Sequence, residues 1–173
     1  MPDATGLELI AAEVRDRVGD AAVVGTTYYR ERATLDVAPD RVHDVLEFLR
    51  DEAGEPFERL MSLHGCDYLP EEPRFGIHYE LLSMERVDRL NVRTRIGLDN
   101  IEIRSVIDIF PTAEFQEREV YDMFGVIFDG NHDLRRILLP EDYEGHPQRR
   151  DFPIGGEPVI FTFNEHEMPR WYD

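Results

Sequence analysis

The order in which helical and β-strand patterns follow one another constrains the fold of this chain most. Apolar residues recur at helical spacing near both ends of the first 124 residues and once between. The first predicted helix covers 5–18 and starts with the capping box Thr5-Gly-Leu-Glu8. The second has Pro39 in its first turn and ends before Gly54, and the third covers about 112–123. Segments rich in β-branched and aromatic residues predict strands at 21–29, 31–37, 57–68, 75–84 and 90–98. The predicted order is αββαβββα, without the regular βαβ alternation of a doubly wound fold. It predicts an α+β fold with a mostly antiparallel sheet packed against helices.

The sequence changes character at Gly125. Five prolines between residues 140 and 169 exclude a long helix from this part of the chain. The same part keeps many large apolar side chains, which is unusual for a disordered tail: Phe152, Ile154, Val159, Ile160, Phe161, Phe163, Trp171 and Tyr172. We therefore predict an α+β domain over residues 1–124 and, over residues 125–173, an extended arm that buries its apolar side chains on another subunit.

The charge balance excludes two classes of partner. The formal net charge is −18, and all 19 basic residues are arginine. Such a chain is repelled by a nucleic-acid backbone and by an anionic lipid surface, because binding to either depends on neutralising phosphates. No apolar run reaches the roughly 18 residues of a membrane-spanning helix. The N-terminal residues show no signal peptide pattern, so we expect an intracellular protein that reaches a membrane only through partners.

Motifs for cofactor and metal chemistry are missing from the sequence. Cys66 is the single cysteine, so this chain can form neither an internal disulfide nor an iron–sulfur cluster held by four of its own thiolates. The sequence contains no G-x-G-x-x-G, no P-loop, no G-x-S-x-G and no H-E-x-x-H. We expect no catalytic residue, no cofactor-binding residue and no metal ligand in this chain.

The third predicted helix concentrates charge. It carries Glu114, Glu117, Arg118, Glu119 and Asp122, and residues four apart can pair along one face, as Glu114 with Arg118 and Arg118 with Asp122. Such a cluster can be an acid/base pair or a metal site. A structural ion network at a buried or interface helix is the commoner case, and we favour it here.

Two histidine settings have both a chemical and a structural interpretation. His64 and Cys66 lie two residues apart on a predicted strand and could form a metal or thiol–imidazole pair, but no further ligand is evident. His132, His146 and His166 lie among carboxylates in the arm, at spacings that match no zinc motif. A core cysteine beside a surface histidine and polar interface contacts in the arm are the interpretations that we favour.

Two arginine doublets lie in the arm. Arginine pairs with carboxylates in bidentate geometry at interfaces, and doublets in an acidic protein are therefore candidate docking points for an acidic neighbour. Solvated arginines on a loop are the alternative. We predict a partner-binding set in the arm that consists of Arg135, Arg136, His146, Arg149, Arg150 and Asp151.

Several irregular segments together resemble one family. They are EREVYDMFG (117–125), LRRIL (134–138) and PEDYEGHPQRRDFP (140–153), together with RFGIHYELLS (74–83), SVIDIFP (105–111) and the predicted strands at 57–68 and 91–96. They resemble the thirty-kilodalton (C) subunit of proton-translocating NADH–quinone oxidoreductase, or respiratory complex I. The family usually has Gly-His-Pro where this chain has Gly130-Asn131-His132, and tryptophan where it has Phe115.

The resemblance implies a peripheral subunit without a catalytic site, held on the cytoplasmic face of the cell membrane by its partners. It implies docking on the quinone-site (D) subunit, with NADH, flavin, iron–sulfur clusters and quinone in the partner subunits, which transfer electrons from NADH to quinone and translocate protons. The implied signature residues are Glu117, Arg118, Glu119, Asp122 and Gly125. One alternative is the equivalent subunit of an energy-converting hydrogenase or a deazaflavin-dependent dehydrogenase. A more distant one is a stand-alone enzyme that uses the carboxylates of Glu117 and Asp122 with His132 or His146.

Overall fold

Three α-helices, one short 3-10 helix (Asp20–Ala22) and seven strands make up the regular structure of the described residues. The structure is a computed structural model and describes residues 3–54, 56–85 and 87–153. The elements in chain order are α1 (Ala4–Val18), β1 (Val23–Tyr29), β2 (Arg32–Val37), α2 (Val42–Asp51), β3 (Arg59–Asp67), β4 (Phe75–Ser83), β5 (Asp88–Ile96), β6 (Glu102–Arg104), α3 (Ala113–Phe124) and β7 (Ile127–Asp129). The predicted α+β class and the αββαβββα order are confirmed. The short strands β6 and β7 escaped the sequence patterns, because three residues are too few to show a period.

The main sheet has five strands in the order β1-β2-β5-β4-β3. Three of its four strand pairs are antiparallel, namely β1–β2, β3–β4 and β4–β5. Strands β2 and β5 pair in parallel because α2 and the β3–β4 hairpin lie between them in the chain. The sheet is therefore mostly antiparallel, as predicted. Strands β6 and β7 form a separate parallel pair.

The two faces of the main sheet differ in polarity. Register places buried apolar side chains in line across four strands on the face that packs against the helices: Leu35, Val92, Tyr79 and Leu63. The next positions along the same strands carry polar side chains on the opposite face: Asp36, Arg93, His78 and His64. This alternation is typical of a sheet with one face on the core.

Helix α3 lies directly on strand β3. A Cβ atom at Gly65 would lie 2.6 Å from a ring carbon of Phe124, closer than real Cβ contacts, so only glycine permits this approach. The Phe124 ring also meets the Phe75 ring edge-on, with centroids 6.4 Å apart. These contacts fix the end of α3 over the β3–β4 hairpin, and the signature residues of the helix are positioned with it.

Two helix starts differ from the sequence prediction. Helix α1 begins at Ala4, and its N-cap is Asp3, whose Oδ1 accepts a hydrogen bond of 2.6 Å from the backbone N–H of Gly6. The capping box predicted from Thr5 is therefore wrong, because a carboxylate two residues earlier already caps the first turn. Helix α2 begins at Val42, and Pro39 precedes it without forming its first turn.

The described part of the arm runs back along the domain. Residues 126–153 contain β7 and then turns that contact α3 and the ends of β3 and β4. The apolar residues predicted to cover a partner from Ile154 to Tyr172 lie outside the described residues. The division into a domain of residues 1–124 and an arm of residues 125–173 stays a prediction.

Candidate partner-binding site

Glu117 points from α3 into the protein interior. Its carboxylate is fully buried and accepts hydrogen bonds from the backbone N–H of Val106 at 2.8 Å, the hydroxyl of Ser105 at 2.7 Å and the amide of Asn131 at 2.9 Å. Within the described residues no cation pairs with it. Burial raises its pKa, although the three hydrogen bonds oppose the rise. Glu117 thus joins α3 to the segment after β6 and to the turn after β7.

Asp122 points to a different neighbour, the arm. One carboxylate oxygen of this fully buried side chain accepts the backbone N–H groups of three successive arm residues: Ile137 at 3.1 Å, Leu138 at 2.8 Å and Leu139 at 2.9 Å. The other oxygen lies 2.6 Å from Nη1 of Arg136. Burial alone would raise the pKa of Asp122, but these donors outweigh it and hold the pKa below its usual value. Asp122 therefore anchors the arm on α3.

Arg118 forms the second anchor. Its buried guanidinium donates to the backbone carbonyls of Arg135 at 3.2 Å and Arg136 at 3.1 Å, and pairs with Asp133 at 3.4 Å. The pairs predicted along the helix, Glu114 with Arg118 and Arg118 with Asp122, do not form. The arm crosses this face of α3 and supplies closer partners for both groups.

Gly125 ends α3 where the arm returns. Its φ of 75° lies in the left-handed region that favours glycine, and a Cβ atom there would lie 2.5 Å from Nε2 of His146 and 2.7 Å from Nη2 of Arg149. These two side chains bind free carbonyls of the last helical turn. Nδ1 of His146 lies 3.0 Å from the carbonyl oxygen of Asp122, and Nε of Arg149 donates to that of Phe124 at 2.7 Å. Burial is the main cause that lowers the pKa of His146, and the nearby arginines lower it further.

A buried arginine at the start of β4 holds the far end of the described arm. Arg74 makes bidentate contacts with Asp67, at 2.9 and 2.7 Å, and with Asp151, at 2.8 and 2.6 Å. The backbone N–H of Arg150 also donates to Asp67. Hydrogen bonding to Arg74 is the main cause that holds the pKa of Asp67 far below its usual range. The same guanidinium lowers the pKa of Asp151. The arm is thus tied to the domain through an Asp–Arg–Asp cluster.

Sequence reasoning missed Asp67 and Arg74 as site residues. A signal was available, because the two residues lie at opposite ends of the loop that joins the two predicted strands. An acidic and a basic residue at such positions can pair across the hairpin. What the sequence could not supply is the third member, Asp151, which lies 77 positions from Arg74 along the chain.

Most of the predicted partner-binding residues contact the domain of the same chain, either near Asp122 or near the Asp67–Arg74–Asp151 cluster. Arg136 contacts Asp122 and the carbonyls of Tyr143 and Gly145. Arg149 and Arg150 bind backbone carbonyls of the domain, those of Phe124 and Leu69. Arg135 is the exception, since its side chain is mostly exposed and pairs only with Asp133, at 2.9 Å, among the described residues. Arg150 and Asp151 are exposed as well, although both are bonded to the domain. Binding of a partner by the whole set stays a prediction.

The carboxylates considered for catalysis do not converge. Glu117 faces Ser105 and Asn131, whereas Asp122 faces the arm. His132 lies 3.6 Å from Glu114. In the described part of the chain, no three His, Cys, Asp or Glu residues are grouped as metal ligands would be, and no helix there is long and apolar enough to cross a membrane.

His64 and Cys66 sit on the polar side of the sheet. The His64 ring stacks on that of His78, with centroids 5.0 Å apart. Burial, followed by the neighbouring His64 and Arg93, lowers the pKa of His78 to about 4. His64 is exposed, as predicted. Cys66 is half-buried on this polar face, so the predicted core position of the cysteine is wrong.

Comparison with known protein sequences identifies one family. The sequence model of the family described as the 30 Kd subunit of respiratory-chain NADH dehydrogenase matches residues 35–158. The C subunit of NADH-quinone oxidoreductase from Roseiflexus sp. (strain RS-1) is 41% identical over 168 residues, which is 97% of this chain and 94% of that protein. Its counterpart from Salinispora tropica is 44% identical over 141 residues, 81% of this chain and 58% of the relative.

Two solved structures share the fold. A trypsin-resistant fragment (1–134) of Nqo5 aligns with a TM-score of 0.59 at 28% identity, over 74% of this chain and 98% of the fragment. A chain of the membrane-bound sulfane sulfur reductase, an archaeal respiratory membrane complex, aligns with a TM-score of 0.69 at 28% identity, over 85% of each chain.

Proposed function

Because the chain belongs to the 30 kDa subunit family of respiratory-chain NADH dehydrogenase, we propose that it acts as an assembly subunit of that enzyme and contributes no catalytic group of its own. In this proposal it docks on the quinone-site subunit, and NADH, flavin, iron–sulfur clusters and quinone are bound by the partners. It is held at the cytoplasmic face of the cell membrane through those partners.

One observation carries the proposal: three of the four charged signature residues of α3 hold the chain together. Glu117, Arg118 and Asp122 are buried, and each makes three or more contacts with groups of the same chain. A general acid or base must reach a substrate, and these groups are closed off by their partners. The single cysteine also supports redox centres outside this chain.

The likeness to the sulfane sulfur reductase chain favours a second candidate. A differently named respiratory membrane complex contains a chain of the same fold, at a higher TM-score than the Nqo5 fragment. The equivalent subunit of a related complex with another electron donor is therefore the alternative. The identities of 41% and 44% with C subunits of NADH-quinone oxidoreductase favour the first candidate.

A pull-down tests both candidates. The tagged full chain is purified in gentle detergent from membranes of its native host, and the proteins recovered with it are identified by mass spectrometry. We expect iron–sulfur and integral membrane subunits, together with an NADH-oxidising module. Recovery of a different electron-input module would select the second candidate, and recovery of the chain alone with intrinsic activity would refute the assembly role.

A further inference from the structure

An exposed strip of α3 lies beside the arm and combines apolar side chains with one carboxylate. Phe115 is 59% exposed, and Leu138 of the arm is 60% exposed. Glu119, one turn after Phe115, is exposed as well, and Ile137 of the arm adds a further exposed apolar side chain. We call these four residues, Phe115, Glu119, Ile137 and Leu138, the α3 strip.

The contacts of Arg118 and Asp122 with the arm bring the helix residues and the arm residues of the α3 strip together. Residues 115, 118, 119 and 122 lie on one side of the helix, since they are three or four positions apart. The guanidinium of Arg118 lies 5.8 Å from the Phe115 ring centroid and also binds the carbonyls of Arg135 and Arg136. One turn later, Asp122 binds the N–H groups of Ile137 and Leu138. The arm therefore runs directly beside Phe115 and Glu119.

Glu119 differs from its charged neighbours on α3. Glu117, Arg118 and Asp122 are all engaged within the chain, whereas Glu119 has neither a hydrogen bond nor an ion pair with any residue that the structure describes. An exposed aromatic ring next to an unpaired carboxylate suits an interface, where aromatic residues serve as anchors and a charge selects its opposite.

The charge of the partner follows from that of this chain. With 37 acidic and 19 basic residues, the chain repels an acidic surface. The carboxylate of Glu119 would be desolvated under a partner, and a buried carboxylate needs a cation to remain ionised. The occupant of the α3 strip must therefore bring a basic side chain within an apolar segment.

We propose that the α3 strip is a docking surface for a segment of a partner subunit whose apolar side chains cover Phe115 and Leu138 and whose arginine or lysine pairs with Glu119. The proposal rests on the assembly function proposed above and deepens it, because it assigns the contact to particular residues and states the chemistry of the partner. It also moves the expected ion pair from the arginines of the arm to a carboxylate of α3.

Matched variants of the full chain test the docking surface. Phe115→Ala and Glu119→Arg change the α3 strip, while Leu9→Ala and Glu13→Arg make comparable changes at exposed positions of α1. Each tagged variant is added to detergent-solubilised membranes of a host strain that lacks the native chain. The co-purified iron–sulfur and membrane subunits are quantified against protein concentration. Thermal unfolding of each isolated variant checks that the fold is kept.

We expect both α3 variants to weaken capture at least about 10-fold at an unchanged unfolding midpoint, because truncation of an interface anchor commonly has effects of this size. The α1 variants should capture like the wild type. Capture by Phe115→Ala and Glu119→Arg at wild-type levels would overturn the docking surface and leave the assembly function standing. Failure of the wild-type chain to capture any subunit would instead overturn the assembly function itself.

Photo-crosslinking identifies the occupant. The photoreactive residue p-benzoylphenylalanine replaces Phe115, and the crosslinked peptide is sequenced from the assembled complex. We expect one partner peptide that contains apolar residues and an arginine or lysine. A crosslinked peptide without a basic residue would overturn the pairing with Glu119.

Discussion

Replacing Asp122 by asparagine tests whether this carboxylate holds the arm on the domain. Asparagine has the same shape, and its carbonyl oxygen can still accept the N–H groups of Ile137, Leu138 and Leu139. Its amide NH₂, however, faces Nη1 of Arg136, which lies 2.6 Å from Oδ1 in the wild-type chain. The variant therefore removes the ion pair and places two donors against each other.

The expected magnitude follows from the burial of the pair. The Asp122 side chain is 0% exposed and that of Arg136 is 12% exposed, and breaking a buried pair by neutralising one partner costs about 3–5 kcal/mol. Arg136 keeps its bonds to the carbonyls of Tyr143 and Gly145, so we expect the lower end of this range, about 3 kcal/mol. If this loss lowers the free energy of opening the arm, the population with an open arm rises about 100-fold, because every 1.4 kcal/mol is a factor of ten.

Trypsin reports this opening. It cuts after arginine, and cleavage follows the open population when opening and closing are fast. We expect fragments that end at Arg135 or Arg136 to form about 100-fold faster from Asp122→Asn than from the wild type. Glu119→Gln is the matched control, since it neutralises an exposed carboxylate on the same helix that has no partner among the described residues. Equal cleavage rates for Asp122→Asn and the wild type would refute the anchoring role.

Three further predictions concern the rest of the anchor. Arg74→Lys cannot keep both bidentate pairs and should lower the free energy of urea unfolding by about 2 kcal/mol; an unchanged urea midpoint would contradict the role of the cluster with Asp67 and Asp151. Gly125→Ala should cost at least about 2 kcal/mol, from left-handed strain and the clash with His146, and a wild-type thermal midpoint would argue against it. The depressed pKa of His146 favours its neutral form in the folded state, so that its contribution to stability is complete above its ordinary pKa of about 6.5 and lost as pH falls. Urea unfolding between about pH 8 and 5 should show a steeper decline for the wild type than for His146→Gln, and parallel curves would exclude this contribution.

Local patterns in the sequence were enough for the element order. Helical periodicity in α2 and the alternation in Asn91–Ile96 arise from residues close together in the chain, and both elements lie where the patterns placed them. The ends of elements were less certain, as at α1, where Asp3 replaces the predicted Thr5 cap. Strands β6 and β7 went unpredicted because they depend on pairing with each other and not on a local pattern.

For the candidate site, the sequence predicted the residues but not the contacts between them. The sequence indicated which residues matter, since the segment from Glu117 to Gly125 and the arginine doublets of the arm were singled out from their composition and from the family resemblance. It did not indicate their partners. Arg118 and Asp122 are four positions apart and could pair with each other, yet each binds the arm instead. Helical spacing permits a contact, but competition with groups brought from elsewhere decides it.

The α+β class, the order of the elements and the family of this protein are thus readable from the residues alone, because they follow from local periodicity and from residue identity along the chain. Three features depend on how the folded chain packs: Asp67, Arg74 and Asp151 form one cluster, Asp122 caps a turn of the arm, and Glu119 remains without a partner among the described residues. Hydrogen bonds and ion pairs act over about 3 Å in space. Which groups come that close is set by the packing of segments that lie far apart in the sequence.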